Sequence, residues 1–500
     1  MEILTAAALA VIQPHMLLII LLGVTAGLFV GALPGLTATM ALALMLPFTF
    51  SLEALEGLVA LGAVYMGTIY GGAFTAILIN TPGTPSSIAT TFDGHPMAKQ
   101  GRALEAISIA TIASVVGGVV GVAFLLVAAP PLAQLALKFG PAEMFWVAIL
   151  GLTLIGTLST GSVLKGLLGG AIGLLIGTIG ISPIGGESRF TFGWPPLQAG
   201  VSLIVALIGL FVIPELLSMI RQGRAALEQP TGLGEAGYKF GSAMRTVFSK
   251  PINLIRSCLI GQVIAVIPGA GGSITSLVAY NEAKRGSKTP ETFGKGNPEG
   301  LVASESSNNV MVAGSMVPLL TLGIPGAPPD AVILGVMLLH GLRPGLDLFT
   351  QTGVLANGFI LSMGLAALML VPVGLLGGRL IYQTIRRTPH YFLVPTILVI
   401  TILGTYALRN NIVDVALMLG LGVIGFIIRG LGLGAAPIVL GLILGTIAEQ
   451  GYVQTVLGGM AMDIPQMRLF ANPLSQVLIA LIVLVIGWTA WPKRAHRRKE

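Results

Sequence analysis

Charge is what this chain has least of. Lysine, arginine, aspartate and glutamate together make up 9% of its 500 residues, against about 25% in an ordinary soluble domain. With 54% hydrophobic residues and a mean hydropathy of +0.91, that scarcity excludes a conventional soluble fold. Long apolar runs in such a composition mark a polytopic membrane protein. Cysteine is nearly missing too. The single Cys258 permits neither an internal disulfide framework nor a thiolate metal cluster, and in its apolar stretch it reads as buried packing. Five scattered histidines show no metal spacing. Neither HExxH nor GxSxG occurs, so the chain is not read as an enzyme and no metal or cofactor is called for.

Basic residues outnumber acidic ones by a formal +7. They gather in a few loops and in the tail, which reads as orientation against anionic lipid and not as a nucleic-acid surface. A basic region ahead of the first apolar segment is also absent; Glu2 is the only charge there. That segment is expected to stay in the protein and not to act as a cleaved leader.

What is abundant is glycine and proline, 68 and 30 residues. No three-residue period runs through them, so they are not collagen-like; they suit close helix packing and interrupted spans. The organising stretch is Gly261–Lys288, GQVIAVIPGAGGSITSLVAYNEAKRGSK, an apolar run broken at Pro268-Gly269. A weaker echo lies at Gly27–Phe50, where Pro34 aligns with Pro268, Gly27 with Gly261 and Gly35 with Gly269. A second pair of breaks follows in the same order. Pro82 on Pro325 sets TPGTP against IPGAP and Gly71 against Gly314. Lipid tolerates a broken helix only where it is buried in protein or lines a cavity, and paired breaks in two halves point to a secondary transporter's binding site.

The fold expected is all-α, with about twelve membrane crossings counting half-helices, in two inverted repeats containing broken helices. Residues 1–220 form the first half-repeat, 221–250 a cytoplasmic linker, 251–491 the second half-repeat plus an extra C-terminal helix, and 492–500 a basic cytoplasmic tail. Inversion is read from charge. The tail and Arg379–Arg387 are both basic and an even number of spans apart, as are the linker and Lys99–Arg102. The acidic loop at Glu53 and Glu56 corresponds to the basic loop at Lys284, Arg285 and Lys288, so the halves face opposite ways.

Four small-residue clusters are candidates for binding substrate or ion. They supply Pro34, Gly35, Thr37 and Thr39; Asn80, Thr81, Gly83 and Thr84; Gly269, Gly271, Gly272, Ser273 and Thr275; and Gly326. Glycine lets backbone N–H groups reach a ligand, and Ser and Thr add hydroxyls for a carboxylate or Na⁺. Neutral donors at half-helix starts suit a reversibly bound anion. GAGGS lacks the Gly-Lys-Ser/Thr ending of a nucleotide loop. Asn308 and Asn309, at the edge of a helix, suit a cation or substrate oxygen and equally a cap with a solvated turn. Glu305 is a candidate for proton or sodium coupling, while Glu282 reads as a solvated loop carboxylate. Asp330 reads as a helix cap, Asp93 and His95 as ordinary turn residues in a DGHP loop, and Arg409 with Asp414 as structural.

Over nearly its whole length the chain resembles the large membrane subunit of the tripartite tricarboxylate transporters, the TctA family. Gly261–Lys288 carries most of the likeness, supported by Gly27–Phe50 and by NTPGTPSSIATTFDGHPMAKQGRA. The resemblance implies a multi-pass protein of the bacterial inner membrane with a cytoplasmic C-terminus. It also implies two partners, a periplasmic solute-binding protein and a small transmembrane subunit, with membrane lipid around them and no nucleic acid. The implied substrates are tricarboxylates or related dicarboxylates and aromatic carboxylates, imported by symport on a Na⁺ or H⁺ gradient. A homo-oligomer is compatible with it. The competing readings are a passive anion channel and a non-transporting membrane partner.

Overall fold

The computed structural model describes residues 2–33, 36–49, 51–136, 139–158, 163–182, 185–222, 240–267, 271–387, 390–460 and 468–490. The first half holds α1 (Glu2–Val11), α2 (Pro14–Gly31), α3 (Ala38–Thr49), α4 (Ala54–Ile79), a 3₁₀ turn at Pro85–Ser87, α5 (Ile88–Lys99) and α6 (Ala103–Ala136). It continues through α7 (Pro141–Leu158), α8 (Val163–Gly177), a two-stranded hairpin of β1 (Gly180–Ile181) and β2 (Ser188–Arg189), and α9 (Leu203–Gln222). After α10 (Phe240–Phe248) come α11 (Pro251–Val266), α12 (Gly271–Gly286), α13 (Pro298–Gly314), α14 (Met316–Leu322), α15 (Pro328–Leu339) and α16 (Leu346–Thr350). The chain then runs through α17 (Gly353–Arg387), α18 (His390–Arg409), α19 (Ile412–Gly430), α20 (Ala435–Met460), α21 (Arg468–Ala471) and α22 (Pro473–Ala490).

The helices break where proline and glycine interrupt the apolar runs. One ends at Gly31 and the next begins at Ala38; one ends at Val266 and the next begins at Gly271. Proline supplies no N–H and disfavours helix in the residue before it. Restarting needs a cap, and Thr37 Oγ1 accepts the Met40 N–H at 3.2 Å at the head of α3. The second breaks match residue by residue. Both α4 and α14 end on a left-handed residue, Asn80 at φ 53° and Gly323 at φ 71°. These residues hold the same place before Pro82 and Pro325. An L-residue adopts that conformation readily only when it is Asn, Asp or Gly.

Seven helices among the described residues are long and apolar enough to cross a bilayer. Others are too short: α15 has 12 residues, about 18 Å against roughly 30 Å of hydrocarbon. Two compact units emerge, Met1–Gln134 with Phe211–Val415, and Leu135–Leu210 with Ala416–Glu500.

In the first unit the packing is repeat-like. Helix α2 packs on α4 and α11 on α13; α5 packs on α13 and α15 on α4; α12 packs on α5 and its preceding 3₁₀ turn, and α3 on α15. Lipid tails give helices no hydrophobic reason to associate, so the contact must come from close packing of small residues. A methyl on Gly27 would overlap the Val64 carbonyl, and one on Gly71 would lie 2.5 Å from the Leu28 carbonyl oxygen. Their aligned counterparts do the same across α11 and α13: Gly261 lies against Ser307 and Val310, Gly314 against Ala265.

In the second unit, α20 packs on α7 and α8. Gly441 meets the Gly170 carbonyl there, Arg189 pairs with Glu449 at 2.6 Å, and Ser475 donates to Glu143 at 2.7 Å.

Two polar stretches are partly helical. The 92–105 stretch continues α5 through Lys99 and restarts at Ala103, and the 281–304 stretch lies in α12 as far as Gly286 and in α13 from Pro298. DGHP is therefore not a turn. Asp93 is buried and holds the loop before α13 instead of its own: its Oδ1 accepts the N–H groups of Gly294, Gly296 and Asn297 at 2.9, 2.9 and 2.8 Å. Its Oδ2 accepts the Tyr280 hydroxyl at 2.9 Å. Asparagine 297 in turn caps α13, its side chain accepting the Glu299 N–H at 2.8 Å, with Pro298 at the first helical position.

Candidate functional site

Helix α13 carries more buried polar groups than a membrane helix tolerates without a reason. Glu305, Asn308 and Asn309 are all 0% exposed. Their spacing of three and four residues puts them on one side of the helix. The helix packs on α4, on α5 and on the 3₁₀ turn Pro85–Ser87, so it meets the second break of the first half. The asparagines are thus mid-helix and buried, not at an edge or in a solvated turn. Helix continuity removes the cap reading, because their own backbone groups are already paired within α13.

Glu305 has two hydroxyl partners from the first half. Thr90 on α5 donates to its Oε1, and Ser114 on α6 donates to its Oε2 at 3.0 Å. One turn on, both amide atoms of Asn308 and both of Asn309 are buried without a hydrogen-bond partner. So are both amide atoms of Gln262 on α11. Leaving such a group unpaired costs roughly 1–3 kcal/mol. Four orphaned atoms on adjacent asparagines are therefore the mark of a site that awaits something polar.

A second polar knot lies at the Pro325 break. Asp330 accepts the Ala327 N–H at 2.7 Å and the Ser315 hydroxyl at 3.1 Å, which makes it a cap of α15 as its position implied. Tyr65 on α4 reaches Met311 on α13 with its hydroxyl 3.8 Å from the sulfur, marking where these two helices cross.

The structure gathers some of the sequence candidates and disperses others. Thr84 and Gly83 are buried in the break, with Thr84 Oγ1 3.0 Å from Ser86 Oγ and Gly83 packed against Gly31 and Thr75. Gly326 is buried against Ser315, Thr39 is buried in α3, and Thr275 is buried in α12. Asn80 is exposed and Thr81 half-buried, its hydroxyl turned back to the Ile79 carbonyl at 3.2 Å. Pro34, Gly35 and Gly269 lie outside the described residues. For Gly271, Gly272 and Ser273 only the backbone is described, as the first turn of α12. Glu282 is paired with Arg285 at 2.7 Å on the surface, and Arg409 grips Asp414 at 2.9 and 3.1 Å.

Sequence reasoning missed Thr90, Ser114 and Gln262. Thr90 lies between the Pro82 break and DGHP and carries no signal of its own, and Ser114 is one hydroxyl in an apolar run. Nothing local distinguishes either, since only the approach of α13 gives them a carboxylate.

The tripartite tricarboxylate transporter TctA family matches residues 17–440. The chain is 36% identical over 487 residues to an uncharacterized 52.8 kDa protein in the TAR-I ttuC' 3'region of Agrobacterium vitis, covering 96% of this chain and 94% of that one. It is 37% identical over 191 residues to an uncharacterized protein in the TAR-II ttuC' 3'region of the same organism, covering 38% and 78%. No solved structure matches it.

Proposed function

Because the chain belongs to the tripartite tricarboxylate transporter TctA family, and so is a multi-pass membrane transport protein and not an enzyme, we propose that it is the large translocating subunit of a binding-protein-dependent importer of carboxylates. The observation that carries this reading is the pair of buried, unpartnered asparagines on α13, the helix that packs on the Pro85–Ser87 break. Amide N–H groups and the N–H groups of a restarting helix bind a carboxylate without a buried lysine, so the anion can leave again.

Sequence halves 1–220 and 251–491 then act as inverted repeats of about twelve crossings, joined by a cytoplasmic linker and ending in a cytoplasmic tail. Reciprocal helix pairing supports two near-equivalent arrangements, which is what alternating access requires. The sequence candidates Gly271, Gly272, Ser273 and Thr275 are assigned to the substrate path, together with Thr37, Thr39, Thr84 and Gly326. A periplasmic solute-binding protein and a small membrane subunit deliver and admit the substrate. Tricarboxylates, dicarboxylates and aromatic carboxylates are its substrate classes.

The test is uptake of labelled citrate, tartrate and an aromatic acid into proteoliposomes holding both membrane subunits, with the binding protein added outside. Accumulation against a gradient, dependent on imposed Na⁺ or pH gradients and reduced in Asn309→Ala, is the expected result. Downhill flux indifferent to both gradients would instead identify a passive anion channel.

A further inference from the structure

We propose that Glu305, Asn308, Thr90 and Ser114 form a binding site for Na⁺, and that this site is where cation and substrate are coupled. The inference rests on the carboxylate-importer reading for its role in transport, but the site itself stands on geometry. Glu305 is a carboxylate 0% exposed, and no lysine, arginine or histidine is paired with it among the described residues. Its hydrogen-bond partners among the described residues are two neutral hydroxyls. On α5, Asp93 is committed to three backbone N–H groups and to Tyr280, while His95 Nδ1 faces the Ile77 carbonyl at 3.0 Å. On α4, Tyr65 faces Met311. A buried lone carboxylate demands a compensating positive charge.

Two species can supply it. A proton would neutralise Glu305 and leave both asparagine amides orphaned. A hard monovalent cation takes several oxygen ligands, here the carboxylate, two hydroxyls and the amide oxygen one turn along, and so satisfies groups that a proton cannot. Glu305 and Asn308 are three residues apart on a helix, where side chains converge on one ligand. The ligands also come from both halves, α5 and α6 on one side and α13 on the other, so occupancy ties the halves together.

Asparagine makes the coupling physical. Its amide has an acceptor at one end and two donors at the other. With Oδ1 of Asn308 turned to the cation, its N–H groups are left to donate to a substrate carboxylate. Cation binding therefore raises substrate affinity, and substrate must raise cation affinity by the same factor.

The probe is NaCl, titrated against choline chloride at constant ionic strength, with thermal unfolding of the purified full-length protein as readout and no carboxylate present. Wild type is expected to show a saturable rise in Tm. Thr90→Val and Ser114→Ala keep the carboxylate and are expected to weaken the Na⁺ midpoint by about tenfold, and Glu305→Gln to abolish the response. Glu282→Gln, on the surface, is expected to match wild type. No saturable Na⁺ response in wild type, or an unchanged midpoint in folded Thr90→Val, Ser114→Ala and Glu305→Gln proteins, overturns the site. Na⁺ binding that behaves as expected beside failed carboxylate uptake would sink the transport reading and leave the cation site standing. Uptake driven by a pH gradient alone, beside no Na⁺ response in Tm, would keep the transport reading and overturn the cation site.

Discussion

Asp330 holds in the second half the place that Ser87 holds in the first. Each follows the aligned prolines Pro325 and Pro82 at the same distance, and each accepts the N–H of the residue that starts the next helical segment. Asp330 takes the Ala327 N–H at 2.7 Å and Ser87 takes the Thr84 N–H at 3.3 Å. The carboxylate also receives Ser315, whereas the equivalent place before Ser87 is Gly72, whose missing side chain leaves room for Thr84 and Ser87.

That asymmetry sets a stability order. Asp330→Ala strands two buried donors and is expected to cost about 2–4 kcal/mol. Ser87→Ala strands one donor, the Thr84 N–H, because the Thr84 carbonyl to which the hydroxyl donates at 2.8 Å keeps the Ser87 N–H, and is expected to cost about 1 kcal/mol. Chemical unfolding of both variants in detergent compares them directly, and equal losses would show that the two caps are not different in kind.

Asp93 ties α5 to the loop before α13. Asp93→Ala leaves the N–H groups of Gly294, Gly296 and Asn297 without their shared acceptor, so amide exchange across 294–297 should accelerate by at least about tenfold. Tyr280→Phe removes one hydrogen bond, about 1 kcal/mol, and should leave those amides protected. If Tyr280→Phe deprotected the loop as strongly, the hydroxyl and not the backbone cradle would be the tie.

The glycine seams are a packing prediction. Gly71→Ala pushes a methyl against the Leu28 carbonyl and Gly314→Ala pushes one against Ala265, each expected to cost about 1–3 kcal/mol. Gly420→Ala meets nothing within 4 Å and, inside a helix, should stabilise by about 0.5–1 kcal/mol. Thermal unfolding of the three variants checks the order, and a destabilised Gly420→Ala would mean that helical propensity is not what these positions report.

Glu282 and Arg285 form an exposed pair, 37% and 78% accessible at the side chains. Glu282→Gln should leave stability within about 0.5 kcal/mol and leave uptake at the wild-type rate. A strong transport defect would place Glu282 on the substrate path.

Much of this was legible before any coordinates. Breaks at Pro34, Pro82, Pro268 and Pro325 announce themselves because proline and glycine act locally, within one turn of helix. Gly27 with Gly261 and Gly71 with Gly314 were paired by alignment alone, and they do meet equivalent neighbours. The misreadings share a cause. DGHP reads as a turn, and a cap is one of the two readings open for the asparagines, because in isolation both patterns are commoner at helix ends. Asp93 is helical because the loop at Gly294–Asn297, far along the chain, satisfies its carboxylate. Asn308 and Asn309 are interior because α13 is packed among helices distant in the chain, α4, α5 and α11 among them.

By itself the sequence determined that the chain lives in a membrane, that its spans are interrupted, and that the interruptions come in pairs. Those properties follow from composition and from backbone chemistry that acts between near neighbours. Which hydroxyls face Glu305, and which amides are left without partners, was decided only when helices distant in the chain came together. A buried carboxylate's chemistry belongs to the groups around it, and no local pattern records where Thr90 and Ser114 will lie once α13 has packed.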